Sequence, residues 1–155
     1  MNYDYIFAFE KLKSWKESRL LVKNVYKITE SFPKHELFGL TSQMRRAASS
    51  ISSNLSEGSG RSSPKDQAHF YQMAYSSNLE LLNHFYTALD LNYTEKETFE
   101  NLRNQICSLS FKINALRKSC FSSTPSTSST SSTILSSSNS ETHLNPILSR
   151  SFQSC

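Results

Sequence analysis

Leu37, Leu40, Met44, Ala47 and Ile51 recur at steps of three, four, three and four. That spacing keeps one edge of an α-helix against a neighbouring helix over several turns. A strand would need strict alternation, so this stretch confines the chain to helix-on-helix packing. The next seam position is Asn54, polar where an apolar residue is expected, and Glu57 lies one turn further on. A buried amide there needs a hydrogen-bond partner. Arg45 and Arg46 fall off the seam, and the surface around them is unusually rich in serine. The pattern predicts a helix from about residue 36 to 56, with Gly58-Ser59-Gly60 reversing the chain after it.

Three further helices follow from the same reasoning. The first, near residues 10 to 32, carries Trp15, Leu21, Val22, Val25, Tyr26, Ile28 and Phe32 on one side and lysines and arginine on the other, an amphipathic pattern. It ends at Phe32-Pro33. Ser63-Pro64 opens the third, with serine at the N-cap and proline in the first turn, where its missing N–H is no loss. Its stripe is Tyr71, Ala74, Asn78, Leu81, Phe85 and Ala88. Thr94-Glu95-Lys96-Glu97 reads as a capping box for the fourth helix. That helix has the seam Phe99, Leu102, Ile106, Leu109, Ile113 and Leu116. Short links between long amphipathic helices predict an all-α, antiparallel, up-down-up-down four-helix bundle. Trp15, Tyr26, Phe38, Phe70 and Tyr75 broaden the stripes and leave surface for contacts between subunits.

The segment FPKHELFGLTSQMRRAASSISSNLSEGSGR, residues 32 to 61, resembles the signature of the small bacterial four helix bundle protein family. That family includes proteins encoded in intervening sequences of 23S ribosomal RNA genes. It is similar to the accessory variability determinants of diversity-generating retroelements. Leu12, Trp15 and Tyr26 match its first helix, and Phe70, Ala74, Ser77, Glu80 and Leu81 its third, so the resemblance spans roughly residues 9 to 119. Ser76 departs from the family's usual glycine. The resemblance implies a closed, ring-shaped homopentamer. It also implies RNA or DNA as partners, with a reverse transcriptase as a further partner in the retroelement branch.

With 155 residues, 3 glycines and 4 prolines, the chain suits one helical domain, placed at 1–120. From Phe121 to Cys155, 19 of 35 residues are serine or threonine, too few apolar groups to offset the entropy of ordering. Residues 121–155 are therefore predicted to be a disordered tail, in which Ile134, Leu135, Leu144, Ile147 and Leu148 form short docking segments or nothing at all. Cys107, Cys120 and Cys155 are odd in number and lack the short paired spacings of zinc and redox motifs, which argues against a disulfide framework and a metal site. The N-terminus has no signal-like apolar core and no run is long enough to span a bilayer, so a cytoplasmic protein without membrane contact is expected.

Charge supplies the independent functional clue. Over residues 1 to 65, 11 Lys and Arg stand against 6 Asp and Glu, a net of +5, whereas the remainder has 6 against 7, a net of −1. Lys13, Lys16, Arg19, Lys23 and Lys27 share one face of the first helix. Repeated around a ring, that face would create a strong field for phosphates. The same lysines also suit plain solvation of an outer helix face. Arg45 and Arg46 are candidates for bidentate phosphate contact beside Ser49, Ser50 and Ser53, or for internal pairing with Glu57 or another acid. Arg61, expected in an exposed turn, is a third candidate for an external ligand. Asn54, Glu57 and Gly58 read as a structural motif. Tyr3, Tyr5, Phe7 and Phe9 alternate before the first helix, available to stack on bases or to pack on the bundle.

Catalysis finds no support in the pattern. Gly58-Ser59-Gly60 lacks the Gly-Lys-Ser/Thr of a phosphate loop and follows a helix rather than a strand. His35, His69, His84 and His143 are not spaced as metal ligands, no serine sits in a nucleophile elbow, and no cofactor is implied. Two functions remain. One is an oligomeric nucleic-acid-binding accessory protein. The other is a protein-interaction scaffold whose charge serves solubility.

Overall fold

The computed structural model describes residues 4–122. Four helices carry them: α1 (Lys13–Thr29), α2 (Leu40–Gly60), α3 (Pro64–Asp90) and α4 (Lys96–Ser122). Among the described residues there is no strand. Short 3-10 turns, Ala8–Lys11 and Lys34–Glu36, precede α1 and α2. Consecutive helices pack on one another, α1 also meets α4, and the Ala8–Lys11 turn lies against α2. Tyr3, His143, Cys155 and the expected tail from residue 123 onward lie outside the described residues; Phe121 and Ser122, expected to open that tail, instead end α4.

The core forms where the predicted stripes meet. Met44, Ala47, Ala48, Ile51 and Leu55 of α2 pack with Ala74, Leu81, Phe85 and Ala88 of α3 and with Ile106, Leu109 and Ile113 of α4, all buried. Complete burial of a side chain such as Ile51 or Phe85 is worth about 1.5–3 kcal/mol each. α1 contributes less apolar mass. Its inward face is Ser14, Ser18, Leu21, Val25 and Thr29, and two hydroxyls turn back to their own helix, Ser18 to the Trp15 carbonyl at 2.7 Å and Thr29 to the Val25 carbonyl at 2.8 Å.

The helix ends explain where the expected boundaries shift. α2 begins at Leu40 rather than residue 36 because residues 34–36 tighten into a 3-10 turn and the Glu36 carboxylate accepts the Leu40 N–H at 2.9 Å. Leu37 therefore leaves the seam and is 51% exposed. At the other end, Gly58-Ser59-Gly60 does not reverse the chain; it completes the last turn of α2. The seam continues from Asn54 by a step of four to buried Gly58, while Glu57 faces outward. A Cβ on Gly58 would lie 2.8 Å from Tyr71 Cε1 and 3.0 Å from Phe70 Cβ, so glycine is needed there for close approach of α2 and α3.

Arg61 to Ser63 make the reversal. Ser63 then caps α3, its hydroxyl accepting the Asp66 N–H at 3.4 Å, with Pro64 in the first turn. Beyond the end of α3, Asn92 adopts a left-handed φ of 58° that terminates the helix. The Asn92 N–H reaches the Leu89 carbonyl at 2.9 Å and the Tyr93 N–H the Ala88 carbonyl at 2.8 Å, a Schellman ending built on asparagine. α4 starts at Lys96, its first backbone bond running from Phe99 N–H to the Glu95 carbonyl at 3.0 Å. Glu95 rather than Thr94 thus stands at its N-cap.

Candidate nucleic-acid interface

The five basic residues predicted on the first helix all reach the surface. Lys13, Lys16, Arg19, Lys23 and Lys27 are exposed, and at 100° per residue they occupy an arc of about 120° opposite the buried face. Lys13, Lys16, Lys23 and Lys27 have no ion-pair partner among the described residues. Arg19 differs, its guanidinium lying 5.0 Å from the centre of the Trp15 ring. Glu17 borders the arc, yet its carboxylate is held by Lys112 Nζ of α4 at 2.6 Å. The arc thus presents basic groups of which the four lysines form no ion pair among the described residues, with the exposed Glu30 carboxylate falling in the same arc at its C-terminal end. Such a face attracts a polyanion that displaces counterions.

The other arginines are engaged within the protein. Arg45 is half-buried, donates through Nε to Thr29 Oγ1 at 2.8 Å, and lies 4.6 Å over the Tyr26 ring, clasping α2 to α1. Arg46 donates to Gln43 Oε1 at 2.8 Å and to Glu80 Oε1 at 2.5 Å, tying α2 to α3. His84 Nε2, one turn along α3, is 3.7 Å from the same Glu80 oxygen. Arg61 pairs with Glu57 and lies 4.5 Å over the Phe70 ring. The structure therefore does not bring Arg45, Arg46 and Arg61 together with the α1 lysines.

Asn54 is buried with its amide satisfied on its own helix, donating to the Ser50 carbonyl at 2.8 Å and the Ser50 hydroxyl at 3.1 Å. Ser50 Oγ in turn shares a 2.9 Å hydrogen bond with Ser77 Oγ of α3. A second polar link was not legible in the sequence. Asn78, fully buried, donates to the Ile106 carbonyl and to Ser110 Oγ of α4, both at 2.9 Å. Its position on an otherwise apolar stripe was the one available signal.

The N-terminal aromatics form a ladder. Tyr5 and Phe7 centroids are 5.0 Å apart, Phe7 and Phe9 5.6 Å, and Phe9 and Trp15 4.8 Å. Phe9 is half-buried while Tyr5 and Phe7 remain exposed. Leu37 and Phe38 stand out beside Tyr26, Phe38 at 90% exposure. Among titratable groups, burial pushes the Tyr71 hydroxyl above its ordinary value, with Cys120 adding to the shift. Burial likewise raises the Cys120 thiol, a free cysteine 3.3 Å from the Leu116 carbonyl. Among the described residues no cluster of three or more His, Cys, Asp or Glu is placed to hold a metal. No described helix is long and apolar enough to cross a membrane.

Between α1 and α4 the packing opens into a groove. Asn24 Nδ2 donates to Gln105 Oε1 at 2.9 Å across it, with cavities of about 580 and 360 Å³ sharing these two residues. Sequence periodicity gave no sign of it, since a groove depends on how far two helices stand apart.

The sequence profile described as "23S rRNA-intervening sequence protein" matches residues 10–115. Among solved structures, one of a protein of unknown function from the S23 ribosomal protein family of Bacteroides thetaiotaomicron is similar. It has a TM-score of 0.63 and 16% identity, covering 68% of this chain and 95% of that one. At that identity the likeness speaks for the four-helix fold. No curated protein matches the chain.

Proposed function

Because the chain belongs to the 23S rRNA-intervening sequence protein family, we propose that it is a non-enzymatic, cytoplasmic accessory protein that binds nucleic acid through the outer face of α1. The observation that carries this reading is the arc of exposed Lys13, Lys16, Lys23 and Lys27, none in an ion pair among the described residues. RNA or DNA is the ligand class, because the ammonium groups of the arc match a phosphate backbone and read no sequence by themselves. In the same proposal the four helices run up-down-up-down, and the subunits close into a ring that repeats the basic face. A reverse transcriptase is the protein partner carried over from the retroelement resemblance.

The test is binding of nuclease-treated protein to labelled RNA, DNA and hybrid duplexes across a salt series, with the mass of each bound species recorded. Binding by an oligomer that weakens linearly in log salt is expected, and K16E/K23E should flatten that slope by about 1 per lysine. No binding at low salt would sink the reading. A scaffold would then be favoured, built on the exposed Leu37, Phe38 and Tyr26, the kind of apolar patch that marks a protein contact.

A further inference from the structure

The basic arc of α1 borders the α1–α4 groove, and the groove's lining differs in kind from the arc. Lys23 and Lys27 stand on its α1 lip. On the α4 side Asn101 and Asn104 are exposed and have no hydrogen-bond partner among the described residues. Asn24 and Gln105, joined at 2.9 Å, form a shared wall between the two cavities. Leu20, 61% exposed, supplies an apolar surface beside them. The one carboxylate in the lining, Glu17, is neutralised by Lys112. From Glu17 to Lys27 the groove runs roughly 15 Å at the helical rise, enough for a few nucleotides.

Resting on the function proposed above, we propose that this groove receives the base edges of an unpaired nucleic-acid strand whose phosphates lie along Lys23, Lys27 and the rest of the arc. A carboxamide presents a donor and an acceptor side by side, the complement of the N6 and N7 edge of adenine. Unpaired bases can be splayed to reach such groups, whereas an A-form duplex hides its edges in a deep, narrow major groove. No aromatic side chain lines either cavity, so recognition here works through base edges rather than by stacking. The Asn24–Gln105 bond fixes two of the amides before the strand arrives, which reduces the entropy lost on binding. Adenine-rich single strands are the favoured ligand, as RNA or as DNA.

The experiment measures affinity of the full-length chain for oligoadenylate and oligouridylate, each as RNA and as DNA and each single-stranded and in duplex, with strands of about 12 nucleotides. Wild-type protein should prefer unpaired adenine strands about tenfold, and the RNA and DNA arms show whether the ribose adds to the contact. N101A/N104A should erase that preference while leaving the salt slope as it was. Both side chains are exposed and alanine is the better helix former, so circular dichroism should report an intact fold. K13E/K16E, away from the cavities, should instead weaken every strand alike and flatten the slope. If wild-type protein binds with a steep salt dependence but N101A/N104A selects strands as wild type does, the groove assignment fails and the basic face stands. If wild-type protein binds no strand, both fail together.

Discussion

The α2–α3 and α1–α4 seams join neighbouring helices by opposite means. Along α2–α3, glycine at position 58 lets the backbone approach Tyr71, small residues Ala47, Ala48 and Ala74 are wholly buried, and Arg46 and Ser50 reach Glu80 and Ser77. Along α1–α4, long polar side chains hold the helices apart around a groove, joined by Asn24–Gln105 and Glu17–Lys112. Close packing of small groups maximises dispersion and apolar burial. A seam of amides and lysines gives up that cohesion and presents chemistry to solvent. Stability and candidate function therefore occupy different edges of one bundle.

Substitutions on each seam put this contrast at risk. The largest effect is expected from I51A, which opens a cavity in the fully buried centre and should cost about 3–4 kcal/mol by denaturant unfolding; a loss below that of exposed L20A would refute the contrast. G58V comes next. Overpacking against Tyr71 and Phe70 should cost about 2–3 kcal/mol, and a neutral result would show that α2 and α3 separate freely. N54A removes the amide that holds Ser50 and should lower stability by about 1 kcal/mol, read as a shifted denaturation midpoint with unchanged slope.

On the open seam, K112A breaks the partly exposed pair with Glu17 and the exposed bond to Ser108 Oγ, and should change stability by no more than about 0.5 kcal/mol. Smaller still is the effect of pH on the Cys120 thiol. Its raised pKa leaves less thiolate at neutral pH than an ordinary cysteine has, so alkylation should be slow there and accelerate only as pH rises towards the shifted value. Alkylation at the rate of a free peptide thiol would contradict that burial.

The apolar stripes of α2, α3 and α4 were largely legible because 3.6-residue periodicity reports which side chains face inward, and Asn78, Phe85 and Ile113 sit where their spacing put them. On α1 only Leu21 and Val25 of the expected stripe are fully buried, Tyr26 is exposed, and Ser14, Ser18 and Thr29 take inward positions instead. Helix ends were read less well, since they depend on local hydrogen bonds. Glu36 folding onto Leu40 N–H delays α2, and the tight contact with Tyr71 keeps Gly58 inside a helix rather than in a turn. The basic arc could be drawn from the sequence because a helical wheel fixes which residues share a face. What engages Arg45, Arg46 and Arg61 could not, because Tyr26, Glu80 and Phe70 are brought to them by packing or by the fold of a neighbouring helix. The groove escaped notice for the same reason, being a property of the space between two helices.

The hydroxyl-bearing inner face of α1 has a consequence for motion. Ser14, Ser18 and Thr29 occupy core positions but bring little apolar area, and Ser18 and Thr29 bond within their own helix. Detaching α1 would therefore forfeit less than detaching α2 or α3, with most of its backbone bonds intact. In hydrogen exchange the amides of α1 should lose protection first, through sub-global openings well below the free energy of complete unfolding. The helix that carries the basic face is then also the part of the bundle best able to adjust its angle without melting the rest.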